Sequence, residues 1–268
     1  MNLARTDPVE VLVERLELPF NTWGVDPFGI SKVHLATVLR LLAPLYRHYF
    51  DVKVYGIDHV PARGRAMLVG NHSGGIALDA AMVFTSLFLE KDPPRLVQAM
   101  AERFVSRVPF LSEWAQRTGQ LTGLPEHAVR LLEDERLLLV FPEGARGTAK
   151  LYWERNSLVD FGTGFMRLAL QTRSPIIPMA FLGGGSAIPT VVNLYRLGKY
   201  VGVPYLPITP WGLPLPRPAH LAIHYGAPMR FEGTGAEEDS VIEGYVEQVK
   251  RRISGLIEEG RAMRRRGA

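Results

Sequence analysis

From residue 51 onward, short apolar runs alternate along the chain with longer segments of helical character. The apolar runs are typical of strands in a covered sheet and lie at 51–57, 66–70, 95–100, 136–141, 175–182 and 219–225. The longer segments predict helices at 77–90, 110–118, 125–135, 160–173, 186–199 and 237–265. This alternation predicts an α/β fold with a mixed, mostly parallel central sheet flanked by helices.

The first fifty residues contain helical patterns and no predicted strand. A short helix is predicted near 8–16 and a longer one over 28–50, where apolar residues form a broad face and Pro44 is expected to bend or end the first segment. The longer helix either packs on the core or lies in a membrane interface. We therefore divide the chain into an N-terminal amphipathic, membrane-docking helical segment at 1–50 and an α/β domain at 51–268.

Length and hydropathy limit the class of protein. A chain of 268 residues can bury a substantial core in one large domain. It contains no run of about 18 to 20 apolar residues that would span a membrane, and the acids and early proline of the first twenty residues do not suit a signal peptide. The stretch 201–218 contains six prolines and is predicted to be a loop. We expect a cytoplasmic protein, peripheral on the inner face of the membrane.

The charge of the chain is uneven. The formal net charge is +4, and much of the surplus lies near the end of the sequence, at 250–252 and 261–266. Such a cluster suits phospholipid head groups, nucleic acid or a nucleotide-bearing donor, but it also fits a solvated terminal helix. Cysteine is absent, which excludes disulfides and thiolate metal sites.

The first motif with chemical potential is the run 70–75 (GNHSGG), which follows a predicted strand and contains His72. Side chains at the end of a strand in an α/β sheet face an open crevice. Asp79, near the start of the next helix, can fold back to orient the imidazole while the second ring nitrogen takes a substrate proton. The alternative is a loop histidine that caps a helix, with Asp79 as a first-turn acid.

A second motif, the run 141–144 (FPEG), follows the most apolar strand of the chain. Arg146 and Lys150, shortly after it, suit a phosphate, and arginine does so through its planar fork. Glu143 is expected to hold an acceptor hydroxyl, to orient Arg146 or to form a surface pair.

A third motif, the glycine run 183–185, leads from a predicted strand into a predicted helix. Main-chain N–H groups at such a start favour an anion, here a phosphate of a donor's pantetheine arm or nucleotide, although a plain tight turn explains the glycines equally well. No set of histidine, aspartate and glutamate has metal-ligand spacing, so we predict no metal site.

The ordered motifs resemble those of the glycerolipid acyltransferase superfamily, whose best-known members acylate lysophosphatidic acid. The resemblance covers about residues 50–230 and extends to all four sequence blocks of that family. The counterparts are His72 with Asp79; a loop with Pro109, Phe110 and Gly119; the run 141–144 with Arg146; and the proline-containing strand segment 176–179. The third block matches without change.

Two departures accompany this resemblance. The family usually leaves four residues between the histidine and the aspartate, whereas six separate His72 from Asp79. The second block usually ends in an arginine that helps to bind an acceptor phosphate, but here Gly119 is followed by Gln120, and only Arg117 is near. A glycerol-3-phosphate-type acceptor is therefore less expected than another lipid hydroxyl.

The resemblance implies direct transfer of a fatty acyl group from acyl-CoA or acyl carrier protein to a hydroxyl of a lysophospholipid, glycerolipid or related lipid. It implies His72 as general base, Asp79 as its support, and a set of substrate-binding residues: Ser73, Gly74, Gly75, Glu143, Gly144, Arg146 and Lys150. Expected partners are the thioester donor, the lipid acceptor and an anionic membrane surface, with no nucleic acid and no cofactor. The altered spacing leaves open a catalytically silent lipid-binding relative, and water as acceptor would make the protein a thioesterase.

Overall fold

The computed structural model describes residues 8–73, 78–101, 111–122, 125–200 and 202–267. A seven-stranded sheet forms its centre, in the order β1-β9-β6-β2-β5-β3-β4. Its strands are β1 Lys53–Tyr55, β2 Ala66–Gly70, β3 Val97–Ala101, β4 Gln120–Thr122, β5 Leu137–Val140, β6 Ile176–Leu182 and β9 Ala222–Tyr225, while β7 Val192–Leu194 and β8 Leu206–Ile208 form a separate ribbon. The five strands from β6 to β4 are parallel, and β9 pairs antiparallel with β6. The predicted α/β class with a mixed, mostly parallel sheet is confirmed.

The helices cover this sheet. They are α1 Pro8–Glu14, α2 Lys32–Pro44, α3 Leu78–Leu89, α4 Leu111–Arg117, α5 Pro125–Glu133, α6 Gly144–Thr148, α7 Gly164–Gln171, α8 Gly184–Ala187, α9 Tyr195–Tyr200 and α10 Asp239–Gly267. The chain continues from α2 through a π-helical turn at Leu45–Tyr49, so Pro44 ends the regular helix as predicted. Among the helices of the described residues, none combines the length and apolar character needed to cross a bilayer.

The core lies on both faces of the sheet because successive strand residues point to opposite sides. In β2, Leu68 packs with the core that also contains Leu35 and Leu39 of α2, whereas Met67 and Val69 pack with the residues of α5, α7 and α10. Both faces of β2 are apolar, as expected for a strand that is covered twice. The N-terminal helices thus share one core with the sheet.

Two predicted elements differ from the observed ones. The helix predicted at 186–199 is a strand and two short helices, because Pro189 cannot continue a helix and the β-branched run 190–192 favours extended chain. The stretch 201–218, predicted to be a loop, contains β8, which pairs antiparallel with β7. The three-residue strands β4 and β7 also lay outside the prediction.

The topology determines where polar side chains meet. β2 lies between β5 and β6 and is parallel to both, so the carboxyl ends of the three strands are neighbours. The three sequence motifs follow these ends: the run 70–75 after β2, the run 141–144 after β5 and the run 183–185 after β6. A crevice outside the carboxyl ends of parallel strands is the usual ligand site of such sheets.

Candidate active site

His72 and Asp79 form a hydrogen-bonded pair at the end of β2. The imidazole Nδ1 lies 2.9 Å from Asp79 Oδ2, so the six intervening residues do not prevent the contact. Asp79 also accepts hydrogen bonds from the main-chain N–H groups of Ser73, at 3.0 Å, and Ala80, at 2.8 Å. A carboxylate only accepts, so Nδ1 carries the proton and Nε2 is left to act as a base.

Both members of this pair are buried, and burial affects the pKa of Asp79. Asp79 is fully buried and His72 is 9 % exposed. Burial by itself raises the pKa of the Asp79 carboxyl, but the interaction with His72 and the two N–H groups outweigh it and hold the pKa below its usual value. Asp79 is therefore ionised at neutral pH and can stabilise a protonated imidazole.

The main chain of His72 is held by a buried ion pair. Glu143 Oε1 accepts the His72 N–H at 2.9 Å, and Lys150 Nζ donates to the His72 carbonyl at 2.9 Å. The two side chains contact each other at 2.5 Å, and Glu143 Oε2 also accepts the Val159 N–H at 2.8 Å. Burial lowers the pKa of Lys150, and Glu143 partly offsets this effect. These two residues hold the main chain on both sides of the His72 Cα atom.

Phe141 and Gly147 shape the space around the imidazole. The Phe141 ring stacks on the imidazole, with centroids 3.9 Å apart and planes at 18°. A Cβ at Gly147 would lie 2.7 Å from the Cβ atoms of both His72 and Glu143, closer than side-chain atoms approach. Gly144 starts α6 with a φ of 55°, a left-handed conformation that favours glycine. At both positions, therefore, the backbone or the neighbouring atoms favour glycine over a residue with a side chain.

Asn71 joins the end of β2 to β6. Its amide donates to the Phe181 carbonyl at 3.1 Å and accepts the Phe181 N–H at 2.8 Å. The next residue but one, Ser73, packs so closely on Gly184 that a Cβ there would lie 2.0 Å from the Ser73 hydroxyl. The turn after β6 is thus part of the wall behind the His72 segment.

Comparison with known proteins gives this geometry a context. Residues 51–182 match the family model named Acyltransferase. An uncharacterised protein of Mycobacterium tuberculosis is 31% identical over 247 residues, which are 88% of this chain and 69% of that protein. The crystal structure of the 1-acyl-sn-glycerophosphate (LPA) acyltransferase PlsC from Thermotoga maritima shares the fold, with a TM-score of 0.59 over 86% of this chain and 80% of that chain at 16% identity. This chain belongs to the glycerolipid acyltransferase superfamily.

A human protein is similar to this chain over a shorter stretch of sequence. The enzyme named "DGAT1/2-independent enzyme synthesizing storage lipids" is 28% identical over 127 residues, 47% of this chain and 38% of the human protein. The predicted fold class and family are confirmed, and the protein is an acyltransferase by family.

The other predicted site residues of the acyltransferase differ in burial and in their hydrogen-bond partners. Ser73 is buried, and its N–H group is directed to Asp79. Arg146 is exposed and donates to the Asp160 carbonyl at 3.2 Å. Gly74 and Gly75 lie outside the described residues, as do Pro109 and Phe110 of the second block. No role was predicted for Asn71, Phe141 or Gly147, although Asn71 and Phe141 lie inside the motifs 70–75 and 141–144 and Gly147 follows Arg146.

A basic pocket of the acyltransferase lies beside the turn after β6. Arg155, Arg261 and Arg264 line it together with Asn71 and the segment 181–186. Arg264 donates to the carbonyls of Leu182, at 3.2 Å, and His220, at 2.6 Å, and burial lowers the pKa of its guanidinium. The pocket therefore brings basic side chains from α10 to the edge of the sheet that carries His72.

Within the described part of the acyltransferase, no group of three or more histidine and acidic side chains is arranged to hold a metal ion. The His72–Asp79 pair itself needs no metal to hold the imidazole. The pair has the arrangement of an imidazole that a carboxylate orients through Nδ1, with Nε2 as the remaining basic nitrogen.

Proposed function

We propose that this protein transfers a fatty acyl group from a thioester to a hydroxyl of a membrane lipid, with His72 as the general base. The observation that carries the proposal is the 2.9 Å contact between His72 Nδ1 and the ionised, buried Asp79. The acceptor hydroxyl gives its proton to Nε2 as its oxygen attacks the thioester carbonyl, and the thiolate then leaves. Asp79 stabilises the imidazolium that forms.

The tetrahedral intermediate needs hydrogen-bond donors for its oxygen. The Ser73 N–H is directed to Asp79, so it is not available to this oxygen in the observed geometry. We propose the N–H groups of Gly74 and Gly75, which follow in the chain, as the donors. One such donor is worth about 3 to 4 kcal/mol of barrier.

We propose acyl-CoA or acyl carrier protein as the donor, because both carry phosphate on the arm that bears the thioester. The pocket of Arg155, Arg261 and Arg264 supports this choice, since guanidinium groups match phosphate in charge and shape. The pocket shares Asn71 with the segment that holds His72, so a donor anchored there can extend its thioester to the imidazole.

The acceptor is proposed to be a lysophospholipid, glycerolipid or related lipid. Two similar proteins, an LPA acyltransferase and an enzyme named for synthesizing storage lipids, favour this class. Arg146, which is exposed after the 141–144 motif, is the proposed contact for the acceptor, whereas Glu143 and Lys150 act by holding His72. Such acceptors dissolve in bilayers, so we propose a peripheral location on the inner face of the membrane. Exposed Val33 and Leu41 of α2 support a contact between segment 1–50 and lipid.

The test is the His72→Ala variant, assayed with acyl-CoA and a mixture of lipid acceptors. Loss of the general base should lower acyl transfer by about 10²- to 10⁴-fold. Free thiol, acylated lipid and free fatty acid are measured together, so that transfer is distinguished from hydrolysis and from binding without reaction. His127→Ala, which changes an exposed histidine of α5, is the matched control and should transfer normally. Transfer retained by His72→Ala contradicts the proposal, and free fatty acid without acylated lipid indicates a thioesterase.

A further inference from the structure

The described surface has an unusual concentration of apolar side chains between residues 191 and 215. Nine of the nineteen large apolar side chains that are exposed across the described residues lie in this short stretch. Tyr200 is 91% exposed, Leu213 62% and Leu215 61%. The others are Val191, Val192, Leu194, Tyr195, Leu197 and Trp211. We call these nine residues the 191–215 surface; a patch of this kind marks an interaction site when it is contiguous.

The residues of the 191–215 surface lie on a β-ribbon, on the helix between its two strands and on the turn after β8, which the Thr209 hydroxyl holds by donating to the Leu213 carbonyl at 2.6 Å. β7 and β8 pair in register from Val192 opposite Ile208 to Leu194 opposite Leu206, and α9 follows β7 directly. Gly198 of α9 packs against the Tyr205 backbone so closely that a Cβ would lie 2.4 Å from its Cα. The inner side of this unit is therefore packed, and its apolar residues are held outward by a defined backbone.

Within the sequence segment that carries this surface, the charged side chains have one sign. The sequence contains no aspartate or glutamate between Asp160 and Glu232, whereas Arg196, Lys199 and Arg217 lie within or next to the surface and are exposed. Aromatic and aliphatic side chains interleaved with basic ones suit the boundary between lipid acyl chains and anionic head groups. A protein partner of equal apolar content would not need this uniform positive charge.

The 191–215 surface is joined to the segment that supports His72. The Tyr152 N–H donates to the Thr190 carbonyl at 2.8 Å, and Asn193 of β7 donates to the Ala149 carbonyl at 2.6 Å. The residue after Ala149 is Lys150, whose ammonium holds the His72 carbonyl. A bilayer that covers this surface therefore lies next to the wall of the candidate active site.

We propose that the 191–215 surface docks the protein on an anionic lipid surface. The apolar side chains enter the acyl boundary, and Arg196, Lys199 and Arg217 contact lipid phosphates. This inference deepens the proposed function, on which its benefit for catalysis rests, because it presents the candidate active site to lipid-borne acceptors. It adds a docking surface beyond the N-terminal segment.

The experiment measures binding of the full chain to vesicles of phosphatidylcholine, alone or mixed with phosphatidylglycerol, in a flotation assay without acyl donor. The triple variant Tyr200→Ser, Leu213→Ser, Leu215→Ser should bind both kinds of vesicle at least about tenfold more weakly, because each exposed side chain loses apolar area that lipid would bury. Arg196→Gln with Lys199→Gln should weaken binding to the anionic vesicles only, and added salt should mimic it.

Two further variants make the assay selective. Val241→Ser with Met263→Ser removes exposed apolar residues from α10 and should leave binding unchanged. Val33→Ser with Leu41→Ser measures the share of α2. Wild-type binding by the triple variant overturns the proposal, and so does a change of oligomeric state in the triple variant without a change in vesicle affinity, since that outcome identifies a self-association surface.

Failure of this inference is distinct from failure of the proposed function. Vesicle binding is measured without a thioester, so it reports docking whether or not the protein transfers an acyl group. An enzyme that transfers acyl groups but whose triple variant still binds vesicles keeps the proposed function and loses the docking surface. A protein that docks through this surface but never consumes a thioester keeps the docking surface alone.

Discussion

The orientation of the His72 imidazole depends on the Asp79 carboxylate. Its pKa is held below the ordinary value, so it stabilises the fold wherever it is ionised. We predict that Asp79→Asn lowers the free energy of unfolding by about 1 to 3 kcal/mol at neutral pH. The difference between variant and wild type should be full above about pH 4, near the ordinary pKa of aspartate, and should disappear as the pH falls through the lower folded-state pKa. Urea unfolding of both proteins across this pH range is the measurement, and a difference that grows in acid would contradict it.

Gly147 provides a second prediction for a single residue, because a methyl group there collides with His72 and Glu143. Gly147→Ala should displace the imidazole and lower kcat/KM by about tenfold or more, with a destabilisation of roughly 1 to 3 kcal/mol. Gly164→Ala is the matched control: the added Cβ meets no atom within 4 Å at the start of α7. Activity and melting temperature of the control should equal or slightly exceed those of the wild type. Equal behaviour of the two variants would show that the close approach at Gly147 has no consequence.

The connection between β5 and α7 is held to β2 by the Glu143–Lys150 pair. Lys150→Met leaves the buried Glu143 carboxylate without its cation and should destabilise the protein by about 3 to 5 kcal/mol. Adding Glu143→Gln removes the unpaired charge and should restore part of that loss. Chemical unfolding of the two single variants and the double variant gives the coupling energy, and strictly additive effects would show that the pair does not act as a unit.

Strands and helices differ in how far the sequence predicts them. The buried strands β2, β5 and β6 were predicted because their apolar runs are long and end in turn residues. The ribbon of β7 and β8 was missed, since each strand has only three residues and β8 lies in the proline-rich stretch that predicts a loop. The antiparallel direction of β9 could not be predicted either, because strand direction depends on the path of the chain and not on local composition.

At the scale of the whole molecule, α10 brings residues from near the end of the sequence to the turn after β6, the strand that contains the 176–179 block. We predict that Arg261→Gln raises KM for acyl-CoA several-fold with a smaller change in kcat, because we propose that this pocket binds the phosphate-bearing arm of the donor and not the reacting atoms. Arg251→Gln, exposed on the same helix, is the control and should leave both constants unchanged. Steady-state kinetics with varied donor measures the effect, and equal KM values for the two variants would exclude this pocket as a donor site.

Contacts of the candidate site between residues close in sequence could be predicted, whereas contacts between distant segments could not. His72 and Asp79 lie seven positions apart, and their contact was one of the two interpretations that the sequence allowed. The substrate-binding role expected for Glu143 and Lys150 stays a prediction, and their contacts with the His72 main chain were not predicted. Those contacts join residues more than seventy positions apart through the pairing of β2 with β5. The arginine pocket depends likewise on the path of α10.

The two hydrogen bonds to the His72 main chain also matter for redesign. Its N–H and carbonyl are bound by Glu143 and Lys150, which are both buried. Variants selected for a new acceptor preference would therefore carry mutations around the exposed Arg146, the proposed acceptor contact, while these buried contacts keep the position of His72 fixed. Libraries built on this scaffold can be large around Arg146, provided that the buried charged pair is left untouched.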